Sequence, residues 1–507
     1  MTPVWLLALT IAGKLTALGK DIAFAGAFGA GPPADAYFVA NQLPGIVWLA
    51  VYGTIISVFS PLYIRRRAVH ADGARFANEA VRYYFYVAVL LTTICWFGAS
   101  WMLRIIAPAL DEATHALAVE LTRIMVLGFA LTGYVGVQSA IQQAHAQFVP
   151  PLAVPVVNNI VATFAILLAW YLNDVTIAVI GAVGAYLVQA VIQRLQTLRF
   201  YKTEFKFRVS GTVIKRLSLL STPIVFASLL DQLNIVVGTA LASGFGTGAV
   251  AQFNYASRLA LFIAGVFSWL VSYVFFPNLA GNAAKNDDLA NAALLTRGLA
   301  IILVATAPAA AGALAMRQEV VALIYQRGSF GVEDVAATAS LFGLLGLGVV
   351  FVSTRELLNR VFFSYQRTVA PMLVGIAAVL ANLGFSLWLL QQIGLAGIAL
   401  GNALAAVVFF LGQLALLWRW KPQLLQRRLL GYAGAIIVAA TITYGITIGL
   451  VSMLAADLHV FARLTLGGLI LIGSYVPTLT ISLLIVGITP RTALAELRGD
   501  AMQNDGF

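Results

Sequence analysis

Lys14, Lys20 and Asp21 stand in one apolar run near the start of the chain, and Asp231 and Arg258 stand in two runs near its middle. Lysine offers an anion a point charge, whereas the arginine fork suits a phosphate or carboxylate bidentately. An ionisable group at bilayer depth costs roughly 2.5–3.5 kcal/mol on insertion scales, so such groups face a bundle interior or a wet cavity. Lys14 and Asp21 are seven residues apart, two helical turns, and share a face, with Lys20 beside it. Lys14 falls mid-run, where snorkelling to a headgroup is hard, and this favours a cavity-facing role over a local ion pair. Arg258 sits mid-helix in FNYASRLALF. It can bind a phosphate or carboxylate, or pair structurally with Asp231 on the preceding helix, and both readings stand. Asp35 follows GPPA and begins a run, so it reads as an N-terminal cap first and a functional residue second. Glu120 and Arg123 read as a local helix pair, and Arg355, Glu356 and Arg360 as interfacial anchors.

The elements that must position these residues follow from composition. The chain has 507 residues, 61% hydrophobic and only 10% charged, against about 25% charged in a soluble domain. So much apolar surface needs lipid around it, and the expected fold class is an all-α integral membrane protein. Runs of sufficient length number about 14, at 4–29, 37–63, 81–106, 119–145, 150–172, 175–198, 215–243, 248–277, 294–316, 335–362, 369–391, 394–418, 429–455 and 460–488. The first run is too long for a cleavable signal peptide. The net charge of +11 does not point to nucleic acid, because the cations cluster after even-numbered runs. Arg65, Arg66, Arg67, Arg75 and Arg82 follow the second; Arg194, Arg199, Lys202, Lys206, Arg208, Lys215 and Arg216 the sixth; Arg419, Lys421, Arg427 and Arg428 the twelfth. Odd-numbered connections are poorer in cations, with Arg317 and Arg327 the exception. This asymmetry predicts both termini in the cytoplasm.

An internal repeat organises the runs. FGAGPPA at 28–34 resembles FGTGAVA at 245–251, and with one residue dropped YFVANQL at 37–43 lies against FNYASRL at 253–259. Runs one and two thus look like copies of seven and eight, as in transporters built from two related lobes with substrate between them. The expected division is a six-helix lobe over 1–205, a second over 206–422, and two further helices with a tail over 423–507. In this register Lys14 falls opposite Asp231 and Gln42 opposite Arg258, so Lys14 and Asp231 are expected to face each other across the cavity. Enzyme signals are missing: His70, His115, His145 and His459 are scattered without metal-ligand spacing, and no phosphate-binding glycine loop precedes a Lys-Ser/Thr pair. The single Cys95 lies in an apolar run and reads as a small packing residue. The expectation is a non-enzyme, a monomer with no cofactor beyond a coupling ion or the membrane potential.

Motifs in order along the chain carry a resemblance. Lys20-Asp21, FGAG at 28–31, ADAYFVA at 34–40, Leu43-Pro44, LTRIM at 121–125, QQAHAQFVPPLAVPVVNNIV at 142–161, YASRLALF at 255–262, YQRGSFG at 325–331 and NRVFFSYQRTVAP at 359–371 resemble the MurJ/MviN family. These are the lipid II flippases of the multidrug/oligosaccharidyl-lipid/polysaccharide exporter superfamily. The likeness spans roughly residues 5–420. It implies two six-helix lobes around a cationic cavity, with two C-terminal helices forming a lipid-facing groove. It also implies movement of an undecaprenyl-diphosphate-linked sugar between leaflets by alternating access. In the family pattern Lys20 takes the place of a first-helix arginine, Asp21 of its aspartate, Asp35 of the aspartate in ADAFFVA and Arg258 of the eighth-helix arginine. The chain departs from that pattern after Leu43-Pro44. The family shows an arginine-rich segment and then F-A-E-G-A, and this chain has GIVWLAVYGTI at 45–55.

The leading reading is a flippase for an undecaprenyl-diphosphate-linked saccharide, either lipid II or an exopolysaccharide/O-antigen-type repeat unit, in the cytoplasmic membrane of a bacterium, in contact with membrane lipids. Lys14, Lys20 and Arg258 hold the diphosphate in that reading, and Asp21 and Asp231 orient those cations. The altered second run tilts the sugar toward a specialised polysaccharide. Trp48 and Tyr52, four apart, could stack on a sugar, although packing or interfacial roles come first. A cation-coupled drug antiporter of the same superfamily is the alternative, and it needs acidic residues to dominate the cavity. A non-transporting scaffold ranks last.

Overall fold

A computed structural model describes residues 3–70, 72–202, 209–270, 275–367, 369–454 and 458–489. All regular structure among these residues is helical. In chain order the helices are α1 (Pro3–Phe28), α2 (Pro32–Ala40), α3 (Gln42–Thr54), α4 (Ser60–Arg65), α5 (Gly73–Ile106), α6 (Glu112–Val126), α7 (Phe129–Ala144), α8 (Val149–Leu172), α9 (Val175–Thr197) and α10 (Gly211–Ala242). Then come α11 (Ala249–Leu270), α12 (Phe276–Ala284), α13 (Asp288–Ala315), α14 (Arg317–Tyr325), α15 (Val332–Ser364), α16 (Val369–Ile393), α17 (Ala396–Trp420), α18 (Arg428–Leu454) and α19 (Val460–Ile485). Among the described residues eleven spans are long and apolar enough to cross a membrane. The expected runs 4–29, 215–243 and 248–277 lie outside those eleven and are occupied by α1, α10 and α11.

Two of the expected runs are not single straight helices. The second is α2 to α4 in sequence, with π-helical turns at Ile55–Phe59 and Arg66–His70. Pro61 opens α4; it has no N–H to donate back into the preceding turn, and a widened turn absorbs the loss. The fourth run breaks between α6 and α7 at Gly128, where a Cβ would lie 3.2 Å from the Met125 carbonyl oxygen. The connections end in caps. Asp111 accepts from the Thr114 amide at 2.9 Å, Asp174 from Thr176 at 2.8 Å and Asp287 from Ala290 at 2.9 Å, each satisfying an orphan donor at a helix start. The Thr114 amide and hydroxyl hold the Asp111 carboxyl below its ordinary value.

By packing the chain forms two compact units: residues 1–251 with 327–331, and residues 252–326 with 332–507. In the first unit α1 lies on α8, α8 on α9, α5 on α6 and α7, and α10 on α3 and α5. Its core gathers Ile55, Phe59, Tyr63, Phe76, Tyr84 and Leu217. α10 is fastened there by hydroxyls: Tyr83 Oη to Ser218 Oγ at 2.9 Å, Gln42 Nε2 to Thr239 Oγ1 at 3.1 Å, and the Ala109 amide to Ser243 Oγ at 3.3 Å. In the second unit α13, α15, α17 and α18 pack together, with α16 on α17 and α19 on α18. Small residues let backbones approach, as Gly348 does against Ala403; helices in lipid associate through such contacts. The expected lobes at 1–205 and 206–422 follow the sequence repeat in chain order, a different basis of division from these packing units.

The repeat itself appears as geometry. Each FGxG stretch is a tight turn between two helices, α1 to α2 and α10 to α11. Gly29 (φ +60) and Gly246 (φ +85) occupy matching left-handed positions in the two turns.

Candidate functional site

In the first unit the candidate residues are carried by α1. Its register is fixed on α8: Asn159 Nδ2 donates to the Gly13 carbonyl at 3.2 Å and to Thr16 Oγ1 at 3.4 Å. A Cβ at Gly13 would meet Pro155 Cβ at 3.6 Å, ordinary van der Waals contact, so α1 and α8 lie close here. Lys14 is the next residue, at the edge of that contact and half-buried. It makes no ion pair among the described residues. Two turns further, Lys20 Nζ lies 3.9 Å from Asp21 Oδ1, with the side chains 20% and 14% exposed. At that separation the pair leaves the lysine head free to contact another anion. α1 therefore presents two cations and one carboxylate within about 10.5 Å of helix rise.

Asp35 corrects the sequence reading in one respect. It is 2% exposed and it does cap a helix, but not its own. Its own helix α2 is preceded by Gly31 and has no side-chain cap. The Asp35 carboxylate instead accepts from the Gly248 amide at 2.6 Å and the Ala251 amide at 2.7 Å, at the N-terminus of α11. Burial without those bonds would be costly for a carboxylate; two amides and a helix dipole supply the compensation.

Arg258 lies on α11, half-buried, in the second unit. Near it in sequence Tyr255, fully buried, packs its ring 5.0 Å from that of Tyr325. Two of the motifs singled out in the sequence, YASRLALF and YQRGSFG, thus meet through their tyrosines. The Asp231 side chain lies outside the described residues, and so does its expected approach to Lys14.

Other candidates resolve into packing. Among the described residues Glu120 and Arg123 make no ion pair, contrary to expectation. Both are exposed, and Arg123 Nε donates to the Trp96 carbonyl at 3.4 Å, which draws it away along the neighbouring helix. Arg360 pairs with Glu356 at 2.7 Å, and Arg355 lies 4.7 Å over the Phe409 ring. Trp48 and Tyr52 stack on each other, 5.1 Å apart and 10° from parallel. In NRVFFSYQRTVAP the tyrosine ties a knot: Tyr365 donates to Asp288 at 2.5 Å, and Lys421 reaches both Asp288 oxygens at 2.5 and 2.6 Å. Burial pushes the Tyr365 hydroxyl up to about 12, so it remains a donor.

Residue patterns do not locate an apolar cleft, and the resemblance implies only a lipid-facing groove at the two C-terminal helices, the first of which, α18, lines the cleft. It encloses about 430 Å³ in the second unit, among α13, α15, α17 and α18. Its walls include Leu303, Ala307, Phe351, Leu404, Ile436 and Tyr444. Hydrophobicity alone hides such a feature, because lipid-facing and cleft-facing residues are equally apolar. The described residues hold no group of three or more His, Cys, Asp or Glu suited to a metal ion.

Comparison with known proteins places this geometry. The family described as "Lipid II flippase MurJ" matches residues 24–472. A probable lipid II flippase MurJ from Rhizobium meliloti (strain 1021) is 30% identical over 453 residues, covering 85% of this chain and 84% of that protein. The lipid II flippase MurJ of Burkholderia cenocepacia is 25% identical, covering 80% and 81%. Among solved structures, a lipid II flippase MurJ in an inward closed conformation aligns with a TM-score of 0.80 at 18% identity, over 94% of this chain and 98% of that one. An inward-facing multidrug transporter of the MATE family aligns with a TM-score of 0.65 at 17% identity, over 83% and 100%; both structures speak to fold. The all-helical fold, the repeat and a family match over nearly the whole sequence agree: the chain is a multi-pass membrane protein and belongs to the lipid II flippase MurJ family.

Proposed function

We propose that this protein moves lipid II, an undecaprenyl-diphosphate-linked saccharide, across the bacterial cytoplasmic membrane by alternating access. One observation carries the reading: the same chain offers half-buried cations on helices and, in its second unit, a largely apolar cleft. A lipid-linked sugar needs both chemistries. The diphosphate is drawn to Lys14, Lys20 and Arg258, with Asp21 and Asp231 orienting the cations when the site is empty. Part of the prenyl tail takes the cleft among α13, α15, α17 and α18, whose largely apolar walls match its chemistry. The likeness to lipid II flippases supports this saccharide over a specialised one. The chain needs no chemistry beyond binding and motion, driven by a coupling ion or the membrane potential, which is worth about 2.3 kcal/mol per charge per 100 mV. Both termini face the cytoplasm, where the arginine clusters hold them, and the protein works as a monomer without nucleic acid.

The test is complementation. The resident lipid II flippase of a bacterial host is depleted, and this chain is expressed as wild type and as Arg258→Ala. Rescue by wild type alone is the expected result. Failure of the wild type, with the protein present in the membrane, rejects lipid II as the substrate. Equal rescue by both removes Arg258 from the site.

A further inference from the structure

Residues 327–331, from the motif YQRGSFG, belong by packing to the first unit, although the chain on either side of them belongs to the second. Their attachment is to the last turn of α1. The Ser329 amide donates to the Gly26 carbonyl at 2.8 Å, and Ser329 Oγ donates to the Ala27 carbonyl at 3.0 Å. These are carbonyls that a helix end leaves without an intrahelical partner. The close approach requires glycine on both sides. Gly29 (φ +60) and Gly328 (φ +56) are left-handed, and a Cβ on either would overlap backbone of the other segment: the Ser329 carbonyl for Gly29, and the Gly26 carbonyl for Gly328. The Arg327 stem covers Gly26, its Cγ 3.2 Å from where a Cβ would stand, and the Trp170 ring closes over Gly328.

We propose that residues 327–331 form a strap over the end of α1 that must release for transport to proceed. The inference rests on the reading of the chain as a transporter. α1 carries Lys14, Lys20 and Asp21, so the strap fixes one end of the helix that bears the proposed headgroup cations. The same turn leads within six residues to Asp35, whose carboxylate holds the amides of Gly248 and Ala251. Strap and carboxylate therefore fasten the two sides of one helical turn, and opening that end of the unit breaks both sets of bonds together.

A reversible cross-link decides this. Cys95 is the only cysteine, so Cys95→Ala gives a clean background for Gly26→Cys with Arg327→Cys. The spacing of 3.2 Å from the Gly26 Cβ position to Arg327 Cγ suits a disulfide. The full chain is placed in phosphatidylethanolamine/phosphatidylglycerol vesicles, and oxidised and reduced samples of one preparation are compared for lipid II transport. The strap predicts loss of transport by about tenfold or more on oxidation and recovery with reductant, the disulfide adding a covalent tie beside the two hydrogen bonds, each of which contributes only about 1 kcal/mol. Equal rates in both forms overturn it. If wild type moves no lipid II, the functional reading has failed, and hydrogen exchange tests the strap separately. Oxidation should then slow exchange of residues 246–252, and an unchanged rate overturns the strap. If the double variant fails to fold, Ser329→Ala decides: faster exchange at 246–252 supports the strap, and a wild-type rate overturns it.

Discussion

The Asp35 carboxylate offers the most direct test of how the first unit is closed. It receives two amides at 2.6 and 2.7 Å while 2% exposed. Asp35→Ala leaves both amides of the α11 N-terminus buried and without an acceptor. Each such loss costs about 1–3 kcal/mol, and loss of the negative charge at a helix start adds about 0.3–1 kcal/mol. Some relaxation is certain, so a net of about 2–4 kcal/mol is expected, or about 30- to 700-fold in the local opening equilibrium. Asp35→Asn keeps one acceptor oxygen and loses the charge, so about 1–2 kcal/mol is expected, near tenfold. The assay is hydrogen exchange by mass spectrometry on the chain in nanodiscs, read on peptides over 246–252, with α5 as an internal reference. The order of exchange should be Ala fastest, then Asn, then wild type, with α5 unchanged. An Asp35→Ala protein that protects 246–252 as wild type does would refute the reasoning, because the geometry would then carry no free energy.

Three further outcomes follow from the structure. His145 lies in the connection after α7, its ring 3.9 Å from Phe200; burial and the charges of Arg67 and Arg199 outweigh its bond to Ile141 and hold its pKa below 6.5. The folded state then binds this proton less readily than the unfolded state, so its contribution is intact above about pH 6.5 and is lost as pH falls below it. Thermal melts should fall with acidification in wild type and less so in His145→Phe, and parallel curves would discard the idea. Ala310 lines the apolar cleft and is 6% exposed; Ala310→Trp fills the space and should slow transport of a full-length prenyl substrate while sparing a short-chain analogue, whereas equal slowing would detach the cleft from the tail. Lys421→Met removes both charged bonds to Asp288 and should cost about 1.5–3 kcal/mol, since such bonds exceed neutral ones. Asp288→Asn added to it should recover part of the loss in a melting cycle, and full additivity would show that the pair is not coupled.

What the sequence revealed and what it concealed divide along a physical line. Apolar runs and the two FGxG turns are local or periodic signals, and each corresponds to a feature of the fold. The altered course of the second run also had a local cause, Pro61, but its consequence is a widened turn rather than a break, so hydropathy reads straight through it. Asp35 shows the limit more sharply. Residue type and position said that a helix start was being capped, which is correct in kind. The helix it serves begins 214 residues later, at Ala249, and nothing in local spacing can name it. The Ser329 bonds to Gly26 and Ala27 are hidden for the same reason. In each case the bond joins a polar group to backbone, and backbone has no sequence identity to search for. That asymmetry has a consequence for where function should be sought in such chains. Side-chain cations such as Lys14 and Arg258 mark themselves by their cost in lipid. The fastenings at Asp35 and Ser329 are made to backbone amides and carbonyls, and in the sequence they show themselves only as an isolated aspartate, a serine and glycines at helix ends.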